Sequence, residues 1–421
     1  MLDLKLIRSD PERIKAALAR RGAADQVDAL LTLDERRRQL LPEIEGARSE
    51  RKQESEKIGA LKKAGEDASA QMEAVRQLKA RLEEMEAELE AVDGKLREVA
   101  ATLPNLPDPT SPDGYTDEDA ELIREVGEIP DFGFEPRDHV ELAGDSIELE
   151  AAARVSGARF AYLKGDLVML EFALVRWALE KLRAEGHEPV VPPILVREEA
   201  LFGTGFLPGD REQIYELEKD ELFLAGTSEV PLAGLHADQI LEADQLPLRY
   251  AGFSSCFRRE AGAAGRDTHG IFRVHQFDKV EMFSFVKPED AGAEHERILA
   301  IEESILTELG LPYRVVNVAV GDLGGSAAKK YDCEAWIPSQ GRYRELTSCS
   351  NTTDFQARRI GSRYRPEPGA PPEFVNTLNG TAVAVGRTII ALLENHQQAD
   401  GSVRLPESLV SYGAPAVIGG N

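Results

Sequence analysis

Cysteine, metal-ligand spacings and long hydrophobic runs are all scarce in this sequence. Its 421 residues include three cysteines, Cys256, Cys333 and Cys349, which form no C-x-x-C pair, and seven histidines without ligand spacing. This pattern argues against a disulfide framework and a structural zinc site, and favours isolated thiols in a reducing compartment. The first residues lack a signal-peptide pattern, and no run reaches the ~18 apolar residues of a membrane span. We therefore predict a cytoplasmic protein with no membrane partner.

Positive charge is also in deficit. Lysine and arginine number 50 against 75 aspartates and glutamates, which gives a formal net charge of −25. Taken alone, that balance argues against a nucleic-acid partner. Basic residues nevertheless cluster at Arg36–Arg38, Lys62–Lys63 and Arg358–Arg365. We therefore expect any polyanion to bind a small positive patch on a negative body, with strong salt dependence.

The length predicts two domains, and the apolar fraction of 42% supports a sizeable core. Two helical patterns lie between Leu30 and Val99. In each pattern, apolar residues recur at 3-4 spacing and form a stripe along one face of the helix. The polar residues Arg37, Arg51 and Glu54 interrupt the first stripe. The first stripe consists of positions 30, 33, 37, 40, 44, 47, 51, 54, 58 and 61, and the second of positions 75, 78, 82, 85, 89, 92, 96 and 99. Such spacing predicts a coiled coil over about residues 28–100.

The break between Gly59 and Ala70 predicts a reversal, so that the two stripes pair antiparallel in an arm of roughly 50 Å. Dimerisation or spacing is the common alternative use of a coiled coil. The proline-dense segment from Thr102 to Gly114 cannot continue a helix and marks a domain boundary. We predict an N-terminal domain over 1–103 and a second domain over 104–421. The second domain lacks the Gly-rich fingerprint of a Rossmann fold.

A predicted β-hairpin between Phe257 and Phe285 is the most informative segment. It reads FRREAGAAGRDTHGIFRVHQFDKVEMFSF. Strands over 252–260 and 272–285 would place alternate side chains on one face: Arg258 and Glu260 from the first, then Arg273, His275, Phe277, Lys279 and Glu281 from the second. Arginines suit phosphate or carboxylate, and an aromatic ring suits a base. A solvated pair of strands with cross-strand ion pairs is the structural alternative.

This segment resembles motif 2 of class II aminoacyl-tRNA synthetases, specifically the seryl family. Three further stretches follow the family pattern in order: GTSEV from Gly226, RELTSCSNTTDFQARR from Arg344 and NGTAVAVGRTIIALLEN from Asn379. The resemblance implies an α+β protein in which the helical hairpin precedes an antiparallel sheet flanked by helices. Strands over 222–226, 252–260, 272–285, 314–320, 331–338, 342–350 and 380–385 fit such a sheet. The helix over 167–184 and the strand after it resemble motif 1, which implies a homodimer; a buried helix–strand pair is the alternative.

The resemblance implies ATP-dependent activation of L-serine and transfer of serine to tRNA(Ser), and leaves open whether tRNA(Sec) is also charged. It implies Arg258 and Arg387 as catalytic residues, and Glu345 and Ser348 as ligands of Mg²⁺ without zinc. Expected ATP-binding residues are Arg258, Arg259, Glu260, Val274, Phe277, Glu345, Leu346, Thr347, Ser348 and Arg387. Expected serine-binding residues are Thr227, Ser228, Glu229, Arg258, Glu281 and Thr381.

The helical arm is implied to bind tRNA, and the loop residues Arg266 and His269 either meet the tRNA acceptor end or are simply solvated. Two other functions are weighed against this one. Aminoacyl–carrier-protein ligases share the fold, but they lack the arm and use a cysteine-liganded zinc. A catalytically dead scaffold would be expected to have lost Arg258, Glu260, Glu345 or Arg387, all of which are present.

Overall fold

The computed structural model describes residues 1–262, 267 and 269–419. These residues form two compact units, Leu2–Leu103 and a body that begins at Pro104. The first unit is helical, with α1 Leu4–Ser9, α2 Pro11–Ala19, α3 Asp25–Ala64 and α4 Ser69–Thr102. The long pair α3 and α4 is the predicted helical hairpin. The reversal is tighter than predicted, because α3 runs through Gly59 and ends where Gly65 adopts a left-handed φ of 76°.

The seam between α3 and α4 confirms the predicted coiled coil. Its buried core consists of apolar side chains from both stripes: Leu40, Ile44 and Ala47 on α3, and Leu82, Met85 and Val92 on α4. Nearer the reversal the seam is more open, because the stripe residues Ile58, Leu61, Val75 and Leu78 are only partly buried. Arg37, one of the polar seam positions, forms an ion pair with Asp93 of the facing helix at 2.7 Å. The seam is therefore apolar in its middle and closed by ion pairs at its edges.

Of the three basic clusters expected from the sequence, Lys62–Lys63 is exposed, but arginines of the other two are paired or partly buried. Arg36 pairs with Glu88 at 2.7 Å and Arg38 pairs with Asp34 at 3.1 Å, so all three arginines at 36–38 face carboxylates. In the body, Arg359 donates to the carbonyl oxygens of Phe202 and Leu207 at 2.8 and 3.0 Å, and its guanidinium is partly buried. Local charge density overstates a basic surface when neighbouring helices supply the counter-ions.

An eight-stranded sheet organises the described part of the body. Its strands, in spatial order, are β1 Glu121–Val126, β11 Tyr313–Asn317, β12 Lys329–Ile337, β13 Arg342–Asn351, β16 Asn376–Ala384, β10 Gln276–Val286, β9 Leu248–Phe257 and β4 Glu188–Val190. Neighbours are antiparallel except for β4 and β9, which are parallel. The structure confirms the predicted α+β class. It adds β1 at one edge, which was not expected.

Shorter strands and helices complete the body. The strands are β2 Ile147–Glu148, β3 Tyr162–Leu163, β5 Leu195–Val196, β6 Glu216–Leu217, β7 Leu222–Leu224, β8 Ile240–Glu242, β14 Arg363–Arg365, β15 Glu373–Phe374, β17 Val403–Arg404 and β18 Val417–Ile418. The helices are α5 His139–Ala143, α6 Glu150–Ser156, α7 Asp166–Ala184, α8 Glu198–Thr204, α9 Glu229–Gly234, α10 Ala291–Glu308, α11 Phe355–Ile360, α12 Val385–Asn395 and α13 Glu407–Val410. The strand predicted at 222–226 is β7, which pairs with β5 and β6 in a separate small sheet.

Side-chain alternation gives the large sheet two different faces. On β10, Val280 and Met282 join the main hydrophobic core together with residues of α7, α10 and α12. Phe283 and Phe285 project from the other face into a second cluster beside α9 and α11. Lys279 and Glu281 share that second face, because strand side chains repeat every two residues. The apolar face anchors the helices and leaves the charged face to form a cleft.

The predicted hairpin strands are shorter than the sequence suggested. β9 ends at Phe257 and β10 begins at Gln276. One further backbone bond joins Arg258 N–H to His275 O at 2.9 Å, but His275 N–H donates to Arg159 O instead of continuing the ladder. Glu260 then adopts a φ of +51°. Arg258, Glu260 and Arg273 therefore lie on the loop at the mouth of the hairpin, where alternation no longer fixes their directions.

Candidate active site

A cleft of about 380 Å³ opens where the charged face of β10 meets β13, β16 and the start of α12. Its lining is mostly polar and contains cations and carboxylates in alternation. The principal side chains are Glu229, Arg258, Glu260, Phe272, Arg273, Val274, Phe277, Lys279, Lys330, Glu345, Ser348, Asn379, Thr381 and Arg387. Most of the predicted site residues are thus brought together from segments far apart in the chain.

One end of the cleft is acidic, and a shift in strand register places its residues. Glu281 of β10 is paired with Thr381 of β16, whereas Val280 is paired with Val383, so Ala382 is an extra residue in β16. A bulge of this kind re-aims the side chains on either side of it. The Thr381 hydroxyl donates to Glu281 Oε2 at 3.5 Å, and Lys279 forms an ion pair with the same carboxylate.

Two buried carboxyl groups meet at this end. Burial and the nearby Glu281 raise the pKa of Glu229 from 4.5 to about 7. Gln356 Nε2 donates to Glu229 Oε1 at 2.7 Å. Burial also raises the pKa of Glu281, although Lys279 opposes the shift. Two acids that resist ionisation in the empty cleft are prepared to accept a cation, because an added positive charge would favour their charged forms.

The middle of the cleft holds an aromatic ring between charged groups. The Arg258 guanidinium lies over the Phe277 ring with its carbon 5.3 Å from the centroid, and its Nε donates to Gly226 O at 3.2 Å. Glu260 forms an ion pair with Arg273. A flat ring flanked by a guanidinium and a carboxylate suits an aromatic base that carries an amino group and is linked to anionic groups.

The opposite end of the cleft depends on a bulge in β13. Cys333 of β12 is paired with Thr347, but Glu334 is paired with Glu345, so Leu346 is the additional residue. Residues 345 and 348 would otherwise project from opposite faces of the strand. The bulge brings both to the cleft. Against the effect of burial, Lys330 and then Arg387 lower the pKa of Glu345 to about 2, so its carboxylate is ionised.

Arg387 closes this end from the first turn of α12. Its Nη1 donates to Glu345 O at 2.9 Å and lies 3.5 Å from the Glu345 carboxylate. Its guanidinium carbon lies 4.8 Å from the centroid of the Phe272 ring, which also supports Arg344 at 4.0 Å. A cation at the start of a helix, backed by an aromatic ring, favours an anionic ligand.

Several predicted site residues lie elsewhere. Arg259 does not line this cleft, since its guanidinium lies over the Tyr215 ring at 5.7 Å. The Ser228 hydroxyl is buried and hydrogen-bonds to Ser254 Oγ at 2.7 Å. Thr347 lines the cleft, but its hydroxyl donates to Glu302 Oε2 at 3.3 Å beneath the sheet. In each case the functional group of the side chain contacts another part of the body, while the neighbouring residue Arg258, Glu229 or Ser348 lines the cleft.

The remaining predicted residues are close to the cleft or outside it. Thr227 is buried, and its hydroxyl accepts from Glu229 N–H at 3.2 Å at the start of α9. Leu346 is buried and lines the cleft as the bulge residue. His269 is exposed and pairs with Asp138 at 2.9 Å, while Arg266 lies outside the described residues. His275 contacts Phe160 and Tyr215 and does not line the cleft.

Lys330 and Asn379 line the cleft but were not expected from the sequence. Lys330 forms an ion pair with Asp332 at 2.9 Å. The only sequence signal is the alternation of charge in Lys330 and Asp332 at the start of a strand that was predicted to begin at 331. Asn379 begins the motif that also contains Thr381. Because strand side chains repeat every two residues, Asn379 could have been predicted on the same face of β16 as Thr381.

Across residues 1–262, 267 and 269–419, no cluster of three or more His, Cys, Asp or Glu side chains is arranged to hold a metal ion. Within the same residues, none of the helices combines the length and the hydropathy needed to cross a bilayer.

Known proteins share both the sequence and this architecture. Residues 1–107 match the family described as "Seryl-tRNA synthetase N-terminal domain", and residues 213–396 match "tRNA synthetase class II core domain (G, H, P, S and T)". The chain is 51% identical to the serine–tRNA ligase of Acidothermus cellulolyticus over 415 residues, which cover 98% of each protein. It is also 51% identical to that of Streptomyces coelicolor, covering 98% of this chain and 97% of the relative. The chain belongs to the seryl-tRNA synthetase family.

A solved structure agrees with this assignment. The seryl-tRNA synthetase of Pyrococcus horikoshii complexed with ATP superimposes with a TM-score of 0.93, at 42% identity and over 100% of both chains. The family membership confirms the resemblance found in the sequence. It also confirms the interpretation of the chain as an ATP-dependent aminoacyl-tRNA ligase with a helical hairpin and a class II core.

The raised pKa of Glu229 predicts a specific pH dependence of stability. Its folded-state pKa of about 7 exceeds its ordinary value of 4.5. Below pH 4.5 the Glu229 side chain is protonated in both the folded and the unfolded chain. As the pH rises from 4.5 to 7, the unfolded chain releases this proton first, so the free energy of unfolding falls by about 3 kcal/mol. Glu229→Gln keeps an acceptor for Gln356 but cannot ionise. We expect its free energy of unfolding to exceed that of the parent above pH 7 and to converge with it near pH 4.5.

Urea unfolding followed by tryptophan fluorescence measures this effect, since both Trp177 and Trp336 lie in the body. Glu218→Gln, at an exposed position, serves as the control and should show no such divergence. Parallel stability curves for Glu229→Gln and the parent from pH 4.5 to pH 8 would contradict the proposed burial of a carboxyl group that resists ionisation.

Proposed function

We propose that this chain is a serine–tRNA ligase, which activates L-serine with ATP and transfers serine to the 3′ end of tRNA(Ser). The observation that carries the proposal is the order of groups along the cleft: Glu229 with the buried Glu281 close by at one end, the Phe277 ring in the middle, and Lys330 and Arg387 at the other end. Serine offers an ammonium group, a hydroxyl group and a carboxylate. ATP offers a base and phosphates. If the carboxylate of serine faces the α-phosphate of ATP, the groups of the two substrates follow the same order along the cleft.

In the first step, the serine carboxylate attacks the α-phosphorus of ATP, and pyrophosphate leaves from the same phosphorus. Arg258, whose guanidinium lies over the Phe277 ring and whose Nε donates to Gly226 O, would bind both the serine carboxylate and the α-phosphate. Glu260 would accept from the base amino group, Phe277 would stack on the base, and Val274 would line the base pocket. Arg387 would bind the distal phosphates. Positioning and charge neutralisation supply the rate, without a protein nucleophile.

Magnesium fits the phosphate end. Glu345 has an ionised carboxylate and Ser348 has a hydroxyl, and the β13 bulge turns both towards the cleft. Mg²⁺ commonly binds one or two protein oxygens and takes its other ligands from water and substrate phosphates. Glu345 and Ser348 would hold it, and the bound ion would neutralise charge on the leaving pyrophosphate. No cysteine lines the cleft for zinc in the described chain.

Serine would bind at the acidic end. Glu229, with Thr227 behind it, is assigned to the ammonium group, and Glu281 with Thr381 to the hydroxyl group. An ammonium ion beside Glu229 would draw its pKa down from about 7 and release a proton on binding at neutral pH. In the second step, a ribose hydroxyl of the tRNA end attacks the carbonyl carbon of seryl-adenylate, and AMP leaves.

A pyrophosphate exchange assay across the amino acids tests the proposal. We expect exchange that requires Mg²⁺ and responds to serine above every other amino acid. Arg258→Ala should abolish exchange, because it removes the group that neutralises both reacting anions, and Arg259→Ala, which changes the neighbouring arginine outside the cleft, is the matched control. Exchange that follows another amino acid more closely than serine would overturn the assignment.

Discrimination by the hydroxyl pocket gives a second prediction. A buried polar site left unpaired by alanine should reject it by about 10⁴-fold. Thr381→Ala or Glu281→Ala should raise the serine KM sharply and erode rejection of alanine, with a much smaller effect on the ATP KM. Thr381→Ser keeps the hydroxyl and should stay near the parent. Glu281→Gln separates loss of the charge from the unpaired Lys279 that Glu281→Ala leaves behind.

Exchange kinetics for serine, alanine and threonine in each variant provide the measurement. Threonine carries the hydroxyl and an extra methyl group, so its exclusion depends on space around Thr381. An unchanged serine KM and unchanged discrimination in both the Ala variants would show that the hydroxyl is recognised elsewhere.

The helical arm is proposed to bind the tRNA. Lysines and arginines nearly balance aspartates and glutamates in residues 1–103, so the negative net charge belongs almost entirely to the body. Along the arm, exposed cations without a carboxylate partner in the described structure include Arg51, Lys52, Lys62 and Lys63. These are available for backbone phosphates, which would be recognised by shape. A tRNA(Sec) of similar shape is then a second candidate substrate.

Shortening the arm should separate the two reactions. Replacing residues 45–85 with a short glycine loop leaves the Arg37–Asp93 pair and the base of both helices. Serine-dependent exchange should persist, since the cleft lies wholly in the body, while charging of tRNA(Ser) and tRNA(Sec) should fall by orders of magnitude. Charging at near-normal efficiency by the shortened protein would refute the role of the arm.

A cytoplasmic homodimer is the proposed state. Apolar side chains on and near α7 are exposed in the single chain, with Met169 at 52%, Phe172 at 64% and Val191 at 82%. Large exposed apolar groups in one region are typical of a protein interface. Sedimentation velocity should show twice the mass of the 46.2 kDa chain, and Phe172→Glu should shift the species towards monomer. A monomeric parent at micromolar concentration would contradict the proposal.

A further inference from the structure

A buried histidine outside the cleft joins three separate segments of the body. His139 is the first residue of α5 and is 2% exposed. Its Nδ1 lies 3.0 Å from Glu394 Oε1 on α12, and its Nε2 lies 3.3 Å from the backbone nitrogen of Ile271. Ile271 belongs to the returning end of the hairpin loop and lines the cleft. The helix α12 that carries Glu394 also carries Arg387.

The hydrogen-bond partners define the form of the imidazole. A backbone N–H can only donate, so His139 Nε2 accepts from Ile271. Nδ1 therefore carries the proton and donates to Glu394. Glu394 is fully buried, and its two oxygens also accept from the backbone N–H groups of His139 and Ser339 at 3.2 and 3.0 Å. The carboxylate thus fixes both the tautomer and the orientation of the ring.

Packing leaves the loop little freedom at this point. Gly270 has a φ of +65°, and a Cβ atom there would lie 1.9 Å from His139 Nε2. Only glycine allows the backbone to approach the ring so closely. Next in the chain after Ile271 is Phe272, whose ring supports the guanidinium groups of Arg344 and Arg387. Arg344 also holds the loop carboxylate of Asp267 at 2.7 and 3.0 Å.

We propose that His139, held by Glu394, is a positioning residue for ATP: it fixes the end of the hairpin loop at Ile271 and so sets Phe272 beneath Arg387. The two ends of α12 are then linked. Glu394 at one end orients His139, and His139 positions the Phe272 ring that contacts Arg387 at the other end. The proposal depends on the proposed function, because it takes Arg387 to bind the phosphates of ATP. Neither His139 nor Glu394 touches the substrate.

The test compares His139→Asn with His139→Gln. Asparagine can keep a donor near Glu394 but has no atom at the position of Nε2, whereas glutamine can present an amide oxygen there. In exchange kinetics His139→Asn should raise the ATP KM by about 10- to 100-fold, as for misplacement of a binding group by a fraction of an ångström. The serine KM should change less than about twofold, and His139→Gln should recover most of the loss.

A matched control separates positioning from general destabilisation. His187 is also 2% exposed and bonds Leu182 O at 3.2 Å, remote from the loop. His187→Asn should lower the melting temperature by a similar amount and leave the ATP KM unchanged. If His139→Asn does not fold, Glu394→Gln, which keeps an acceptor for His139, carries the same comparison with a smaller effect.

Hydrogen exchange gives a readout that does not require activity. Mass spectrometry of peptides containing Ile271 should show faster amide exchange in His139→Asn than in the parent, His187→Asn or His139→Gln. An unchanged ATP KM in folded His139→Asn, or equal rises in the ATP and serine KM values, would overturn the proposal. Absence of serine-dependent pyrophosphate exchange in the parent would instead refute the proposed function. Amide hydrogen exchange would still test whether His139 fixes the backbone at Ile271.

Discussion

The pairing of β16 with β10 on one side and with β13 on the other is the constraint on which the cleft depends. Strand pairing fixes which side chains share a face, and the β10–β16 pairing and the β12–β13 pairing each contain one extra residue near the cleft. Without the extra residue at Ala382, Thr381 would not oppose Glu281. Without the one at Leu346, Glu345 and Ser348 would project from opposite faces. Two local irregularities in an otherwise regular sheet thus place the acidic end and the phosphate end.

Electrostatics then distinguishes the two ends. Burial raises the pKa of Glu229 and of Glu281, the two carboxyl groups lie close together, and Lys279 offsets only part of this effect at Glu281. At the other end Lys330 and Arg387 hold Glu345 in its ionised form. The first end suits a cationic group and the second an anionic one. Under the proposed function, a zwitterionic amino acid and a nucleotide would have one favourable relative orientation, with the reacting carboxylate and phosphate adjacent at Arg258.

The sequence was sufficient for the elements whose periodicity is regular. The arm follows from the seam of Leu40, Ile44, Leu82 and Met85, and the two faces of β10 follow from alternation. It was not sufficient where an irregularity decides the outcome. The strand end at Phe257 depends on a bond between His275 and Arg159, more than a hundred residues away. Arg259 was predicted to bind ATP beside Arg258, but its guanidinium lies over the Tyr215 ring, and Arg258 lines the cleft without it. Residues 36–38 were predicted to be a basic patch because the partners of Arg36 and Arg37, Glu88 and Asp93, lie on another helix.

The distribution of charge distinguishes the arm from the body. A body with nearly all of the net charge of −25 repels a polyanion at distances within the Debye length, about 8 Å at physiological salt. The arm is nearly neutral, and its cations Arg51, Lys52, Lys62 and Lys63 are exposed. Contacts between a polyanion and such a surface would meet little of the repulsion expected at the surface of the body. In the proposed reaction, only the end of the tRNA would have to enter the negative field of the body, where Arg344 and Arg387 lie over the Phe272 ring.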